Sequence, residues 1–275
     1  MNSLFRINEP TEANVNSFHE DGYIFFPDIF KDLSRESLIK EIENSNEVQQ
    51  YLKSANYTDI MNPQSYFVRP WNNRGPVGNA LIDDPFITSL LRKTIGNRYH
   101  FCHSALNLAP RGIGPGKYHQ DNHHWNHEYP VNHREREKYY IQILYYPNGF
   151  KQGDRNLKVI PGSHVIEPTG EKIIEEMLAG TYDNIAGRKL KEVRLSAPAG
   201  SMVYINARMF HAIEAKPADS PQAHRIFNID IFKEAGPPHR YTQKIPHAWL
   251  ENTTSHRKQI FARLPYTDGC WKTLN

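Results

Sequence analysis

From about residue 98 the chain becomes a succession of short β-type runs, at 98–108, 139–146, 157–160, 191–195, 201–206 and 225–232, separated by Gly, Pro, Asn and Asp turns. Only one helical insert, EKIIEEML at 171–178, interrupts them. The lack of regular strand–helix alternation argues against a doubly wound parallel sheet, and the expected fold class is mainly β with flanking helices: a sandwich, jelly roll or barrel. The region before 98 reads differently. Leu38, Ile39 and Ile42 stand at helical spacing within 34–53 behind a cap candidate, Ser34. A second helix is expected in PFITSLLRKTI, opened by Asp84-Pro85 and stopped by Gly96. FHEDGYIFFPDIF, 18–30, holds a short β-rich run ended by Pro27. No repeat, low-complexity tract or Gly/Ser linker divides the chain. A single domain over 1–275 is expected, with a helical region to about 97, a β core over about 98–232, and a Pro-, His- and aromatic-rich tail from about 233 lying over that core.

Composition removes several classes. At 39% hydrophobic and 12% aromatic over 275 residues there is material for a sizeable core, so disordered and fibrous chains drop out. No apolar run approaches the roughly 18 residues needed to cross a bilayer. A net charge of +3, with no Lys/Arg block of five, argues against a nucleic-acid partner. Cys102 and Cys270 stand far apart with no CxxC spacing, which disfavours a zinc ribbon and a disulfide framework alike. No secretory leader is visible, and a reducing cytoplasm is the expected compartment. The 15 tyrosines and 4 tryptophans suit an interface or a core equally, so the oligomeric state stays open.

The chemistry-bearing segments begin at 110. PRGIGPGKY, 110–118, looks like a phosphate cradle, but Arg111 stands where a P-loop needs its first Gly, and Tyr118 follows Lys117 where Ser or Thr is required. A loop between strands is the better reading. His119-Gln120-Asp121 comes next, and in extended chain residues i and i+2 share a face, so both side chains could reach one metal ion. The spacing alone is weak, because His19-Glu20-Asp21 repeats it. A facial triad needs a further histidine from a distant strand. His211, in PAGSMVYINARMFHAIEA, offers one. Arg225 then opens HRIFNIDIF, where alternation sets it on one face with Phe227, Ile229 and Ile231. An Arg on an apolar face is costly without an anion, and its planar fork suits a carboxylate.

Four segments in order, FHEDGYIFFPDIF, YHQDN at 118–122, NLKVIPGSH at 156–164, and PAGSMVYINARMFHA followed by Arg225, resemble the phytanoyl-CoA dioxygenase family of Fe(II)/2-oxoglutarate-dependent oxygenases. The resemblance spans about 17 to 232. It implies a double-stranded β-helix of the jelly-roll type, cupin-like, with His119, Asp121 and His211 as iron ligands and Arg225 on the distal carboxylate of 2-oxoglutarate. Asn107 is a weaker candidate for the other end of that cosubstrate. His19 and Asp21 become bystanders, and Pro161-Gly162-Ser163-His164 reads as structural turn chemistry. The implied reaction uses Fe(II), 2-oxoglutarate and O2 to oxidise, and most readily hydroxylate, a C–H bond of a small molecule, releasing succinate and CO2. Halogenating relatives replace the carboxylate ligand with a small residue, whereas Asp121 is present. The cationic, aromatic stretch NHHWNHEYPVNHRERE, 122–137, and the segment PPHRYTQKIPHAW, 237–249, suggest a substrate with an anionic or polar handle. The competing readings are a non-catalytic metal- or ligand-binding jelly roll and a cupin-like metal enzyme without the arginine clamp.

Overall fold

The computed structural model describes residues 3–53, 64–72, 74–121, 140–167, 170–234, 243–246, 248–251, 253–262, 264, 266–267 and 272–273. Its centre is a six-stranded sheet in the order β1-β7-β4-β9-β3-β2, formed by β1 (Tyr23–Phe26), β2 (Tyr66–Val68), β3 (Tyr99–Pro110), β4 (Tyr140–Tyr146), β7 (Ser201–Asn206) and β9 (His224–Glu234). A second sheet, β6-β5-β8, comprises β5 (Leu157–Val159), β6 (Val193–Leu195) and β8 (His211–Ile213). Every pairing within both sheets is antiparallel. The arrangement is the expected jelly-roll class.

Strand alternation decides what each face of the large sheet does. Leu106 and Leu108 of β3, Ile141, Ile143 and Tyr145 of β4, Met202 and Tyr204 of β7, and Phe232 of β9 join one apolar cluster with Phe86, Ile87, Leu90 and Leu91. Those last four lie on the helix Pro85–Ile95, which Asp84 caps by accepting from Phe86 N at 2.8 Å. Each side chain so buried stabilises the fold by about 1.5–3 kcal/mol. The opposite face carries Gln142, Leu144 and Tyr146 from β4 and Arg225, Phe227, Ile229 and Ile231 from β9, and it looks toward β5 and β8 across a cavity. One register shift serves this division. A bulge between Phe101 and His103 flips the parity of β3, so Phe101 packs with the helices whereas His103 turns into the cavity.

The helix expected over 34–53 is two helices, Asp32–Glu43 and Asn46–Lys53. Ser34 does not cap the first. That helix begins at Asp32, whose carboxylate complements the positive end of the helix dipole, and Lys31 caps it without a side-chain bond. Ser45 restarts the chain by accepting from Gln49 N through its carbonyl at 2.9 Å. In the C-terminal segment, the helix Ser255–Phe261 lies against β3, with Phe261 and Phe101 rings 5.7 Å apart. Arg257 fastens it by donating to Asp83 and to Asn79. Of the described residues, no helix is long and apolar enough to cross a membrane.

Candidate metal and cosubstrate site

His119 and Asp121 follow the Gly-rich loop, and a single antiparallel bridge joins His119 to His211 at the start of β8, with mutual N–H···O bonds of 3.0 and 3.1 Å. That bridge brings residues 92 positions apart to one place. Gln120 alternates away and donates to the carbonyls of Ile166 and Arg208. The imidazole Nε2 atoms of His119 and His211 lie 3.4 and 3.2 Å from Asp121 Oδ1 and Oδ2. All three ligand atoms fall within 4.8 Å of one another.

The histidines are oriented from behind. His119 Nδ1 faces Lys117 O at 2.8 Å and His211 Nδ1 faces Met209 O at 2.9 Å, so each Nδ1–H donates to a carbonyl and each Nε2 is left for a ligand. Gln142 Nε2 donates to Asp121 Oδ2 at 2.6 Å. Burial opposes ionisation of Asp121, yet His211 and His119 beside it outweigh burial and hold its carboxyl far below the usual carboxylate range. With a metal in place of their Nε2 protons, two imidazoles and one carboxylate, all from one side, are the donor set that suits a divalent iron with open positions. These residues fit that metal.

Three residues of the large sheet, Arg225, Tyr146 and Phe227, and Phe150 just after β4 then shape the second half of the site. Arg225 is 1% exposed, and its Nε and Nη1 atoms have no hydrogen-bond partner among the described residues. Nη2 donates to the Tyr146 hydroxyl at 3.0 Å, and the guanidinium stands 4.9–5.0 Å from the ring centres of Tyr146, Phe150 and Phe227. Phe150 reaches this position because Gly149 turns the chain at φ 65°, where a Cβ would sit 2.5 Å from the backbone of residues 197–199. A buried guanidinium with two donors unused among the described residues and three rings around it is a cradle for a carboxylate. The connection from β8 to β9, longer than a minimal hairpin, is anchored by a buried trio: Lys216 Nζ donates to Asp154 at 2.5 Å and to Ser220 at 2.9 Å, and Ser220 to Asp154 at 2.6 Å.

A cavity of about 340 Å³ contains His119, Asp121, His211 and Arg225 in its wall. Asn107, buried on β3 opposite Phe227, lies next along the same face as Ala105, just beyond the residues lining the cavity. His19 and Asp21 sit on the helix Glu12–Asp21, where Asp21 pairs with Arg188, away from the metal-ligand group. The IPGSH segment is structural: Ser163 Oγ accepts from Phe210 N at 2.9 Å, bracing the residue before His211. The 122–137 stretch lies outside the described residues, as does most of 237–249. Sequence reading missed Gln142, Tyr146 and Phe150. Gln142 had a signal, being the polar residue inside the otherwise apolar run YYIQILYY.

The phytanoyl-CoA dioxygenase (PhyH) family profile matches residues 18–225. No protein of curated function matches the chain. Among solved structures, EctD from S. alaskensis with bound Fe aligns at a TM-score of 0.62 and 19% identity, over 85% of this chain and 82% of that one. The carbocyclase SnoK from nogalamycin biosynthesis, described as non-heme and alpha-ketoglutarate-dependent, aligns at 0.59 and 17%, over 82% and 84%. The epimerase SnoN from the same biosynthesis aligns at 0.61 and 14%, over 96% and 98%. At these identities the likeness is one of fold.

Proposed function

Since the chain belongs to the phytanoyl-CoA dioxygenase family of Fe(II)/2-oxoglutarate-dependent enzymes, we propose that it hydroxylates a C–H bond of a small-molecule substrate, with His119, Asp121 and His211 as the iron ligands and Arg225 as the cosubstrate clamp. The whole of residues 1–275 would act as one oxygenase domain. The observation that carries this reading is the pairing, in one cavity, of a His-Asp-His donor set with a buried arginine that has two unspent donors. Each half is explicable alone, but a non-catalytic metal site has no use for the arginine.

Bound iron would activate O2, coupling decarboxylation of 2-oxoglutarate to substrate oxidation. The residues supply position and exclusion. His119 and His211 are held in the tautomer that presents Nε2, and Gln142 fixes the Asp121 carboxylate without neutralising it. Arg225, at the far end of β9, would take the distal carboxylate of 2-oxoglutarate through Nε and Nη1, which leaves the keto-acid end directed at the ligands. Asn107, beyond the cavity lining on β3, would be at most a weaker contact for the other end of the cosubstrate. The rings of Tyr146, Phe150 and Phe227 keep water from that ion pair and strengthen it. Hydroxylation is favoured over halogenation because Asp121 fills the position that a halide would need.

Fe(II) and then 2-oxoglutarate, added anaerobically to metal-free protein, should give the visible iron-to-ketoacid charge-transfer band. The band should vanish in His119→Ala and require far more cosubstrate in Arg225→Ala. Folded wild-type protein without a band would leave the metal-binding, non-catalytic jelly roll as the account.

A further inference from the structure

Arg155, two residues before β5, has φ 60°, a left-handed backbone state that favours glycine and strains other residues. Such strain persists only where the surrounding structure sustains it, and the side chain shows what does so here. Arg155 is 7% exposed, and its Nη1 donates to the carbonyls of Gly114 at 2.8 Å and Glu214 at 3.2 Å. Gly114 belongs to the loop that leads into His119, and Glu214 follows β8, which His211 opens. One guanidinium thus joins the two segments that carry the histidines.

That guanidinium has no ion-pair partner among the described residues. Both of its acceptors are neutral carbonyls. Asp154, its neighbour in sequence, is taken by Lys216 and Ser220, and the carboxylate of Glu214 pairs with Arg194. Nε of Arg155 is buried without a hydrogen-bond partner.

The charge stands at the cosubstrate end of the cavity. Leu157, two residues on from Arg155, pairs with Ile213, and both line the cavity together with Arg225. The loop that Arg155 holds leaves β3 at Pro110, which pairs with His224 next to Arg225. Arg155 does not line the cavity itself, so it lies behind the wall at that end. Burial and the charge of Arg225 push its guanidinium down to about 10, which leaves it protonated at neutral pH. Two buried cations at one end of a cavity repel each other. A neutral amide could hold the same two carbonyls without that repulsion and without the cost of burying a charge, so stapling alone does not account for an arginine. An anion held at Arg225 does.

We propose that Arg155 is a positioning residue of the cosubstrate site: it acts through space, adding its positive charge to that of Arg225 at the distal carboxylate, and so sharpens the choice of 2-oxoglutarate over 2-oxo acids that end in an uncharged chain. This rests on the oxygenase reading above and adds a second, non-contacting cation to its clamp.

The charge-transfer band of the anaerobic Fe(II) protein reads the affinities of 2-oxoglutarate and of 2-oxovalerate, which has the same keto-acid head and no far carboxylate. Arg155→Met, and Arg155→Gly, which the left-handed backbone accepts, should each lower the preference for 2-oxoglutarate about tenfold, the size of a buried charge acting without contact. Any loss common to both acids cancels from that ratio. Arg155→Lys keeps the charge without the fork and should recover most of the preference. An unchanged ratio in the uncharged variants, or failure of both to fold, would overturn the proposal and leave Arg155 as a staple of the loop. If 2-oxovalerate binds too weakly to titrate, recovery of 2-oxoglutarate affinity in Arg155→Lys decides alone, and its absence overturns the proposal. No band in wild-type protein with either acid would sink the oxygenase reading instead, so the two failures are distinguishable.

Discussion

Gln142 of β4 donates to Asp121 Oδ2 at 2.6 Å, although Asp121 belongs to no strand of the large sheet. This bond ties a proposed metal ligand at the end of a loop to a fully buried strand. Such outer partners of metal ligands typically carry 10- to 100-fold of the metal affinity. Gln142→Leu should therefore weaken Fe(II) binding by about that factor. Anaerobic metal titration against a chromophoric chelator measures it, and unchanged affinity would show that Asp121 is held by other means.

Tyr146→Phe keeps the ring that stacks on Arg225 and removes only the hydroxyl that orients its guanidinium. The expected result is about a tenfold loss of 2-oxoglutarate affinity with Fe(II) affinity intact. Cosubstrate titration of the charge-transfer band reads both. An equal fall in both affinities would mean the substitution disturbs the sheet rather than the arginine.

Ser163→Ala leaves the buried Phe210 N–H without its acceptor, at a cost of about 1–3 kcal/mol. For a chain of this size that corresponds to a fall in Tm of roughly 2–10 °C. His211 follows Phe210 directly, so the metal-loaded protein should also lose Fe(II) more readily. Thermal melts with and without Fe(II) test both effects, and a melting temperature equal to wild type would remove Ser163 from the account.

Asp230 is fully buried on the helix-packed face of β9, and neither carboxylate oxygen has a hydrogen-bond partner among the described residues. Burial pushes its carboxyl well above the usual range. A folded-state value above the unfolded one means that the native state holds its proton longer, so stability is greatest below the unfolded value near 4 and declines as pH rises toward the folded value. Asp230→Asn should melt higher than wild type at pH 8, by at least about 2 °C, with the gap closing toward pH 4. A pH-independent gap would mean that ionisation is not the cause.

The parts legible in the sequence were those with local signatures. Asp84-Pro85 and Gly96 bound their helix as expected, because capping and helix-stopping depend on adjacent residues. The β runs were found from their composition, and His119, Asp121, His211 and Arg225 from the order of motifs around them. What stayed hidden depends on cross-strand register. That Gln142 reaches Asp121 and that Tyr146 meets Arg225 follow from how the strands lie side by side, and no run of residues encodes which strands are neighbours. The bulge at Cys102 is invisible for the same reason, yet it turns His103 into the cavity. Ser34 misled because it resembles a cap while Asp32 starts the helix earlier.

The aromatic box around Arg225 also bears on how such a chain could change over generations. A guanidinium beside three rings, with two donors unspent among the described residues, is a standing cost to the fold whenever no anion is there to meet it. Replacement by Met or Leu would fill the same space and relieve that cost, as replacement of buried charges by apolar residues often does. A lineage released from the need for a carboxylate cosubstrate would thus find this position among the easiest to lose, with a gain in stability for losing it. On the proposed roles, Arg225 would disappear early from a descendant that kept the jelly roll without the cosubstrate, whereas His119 and His211, braced by backbone carbonyls, would linger.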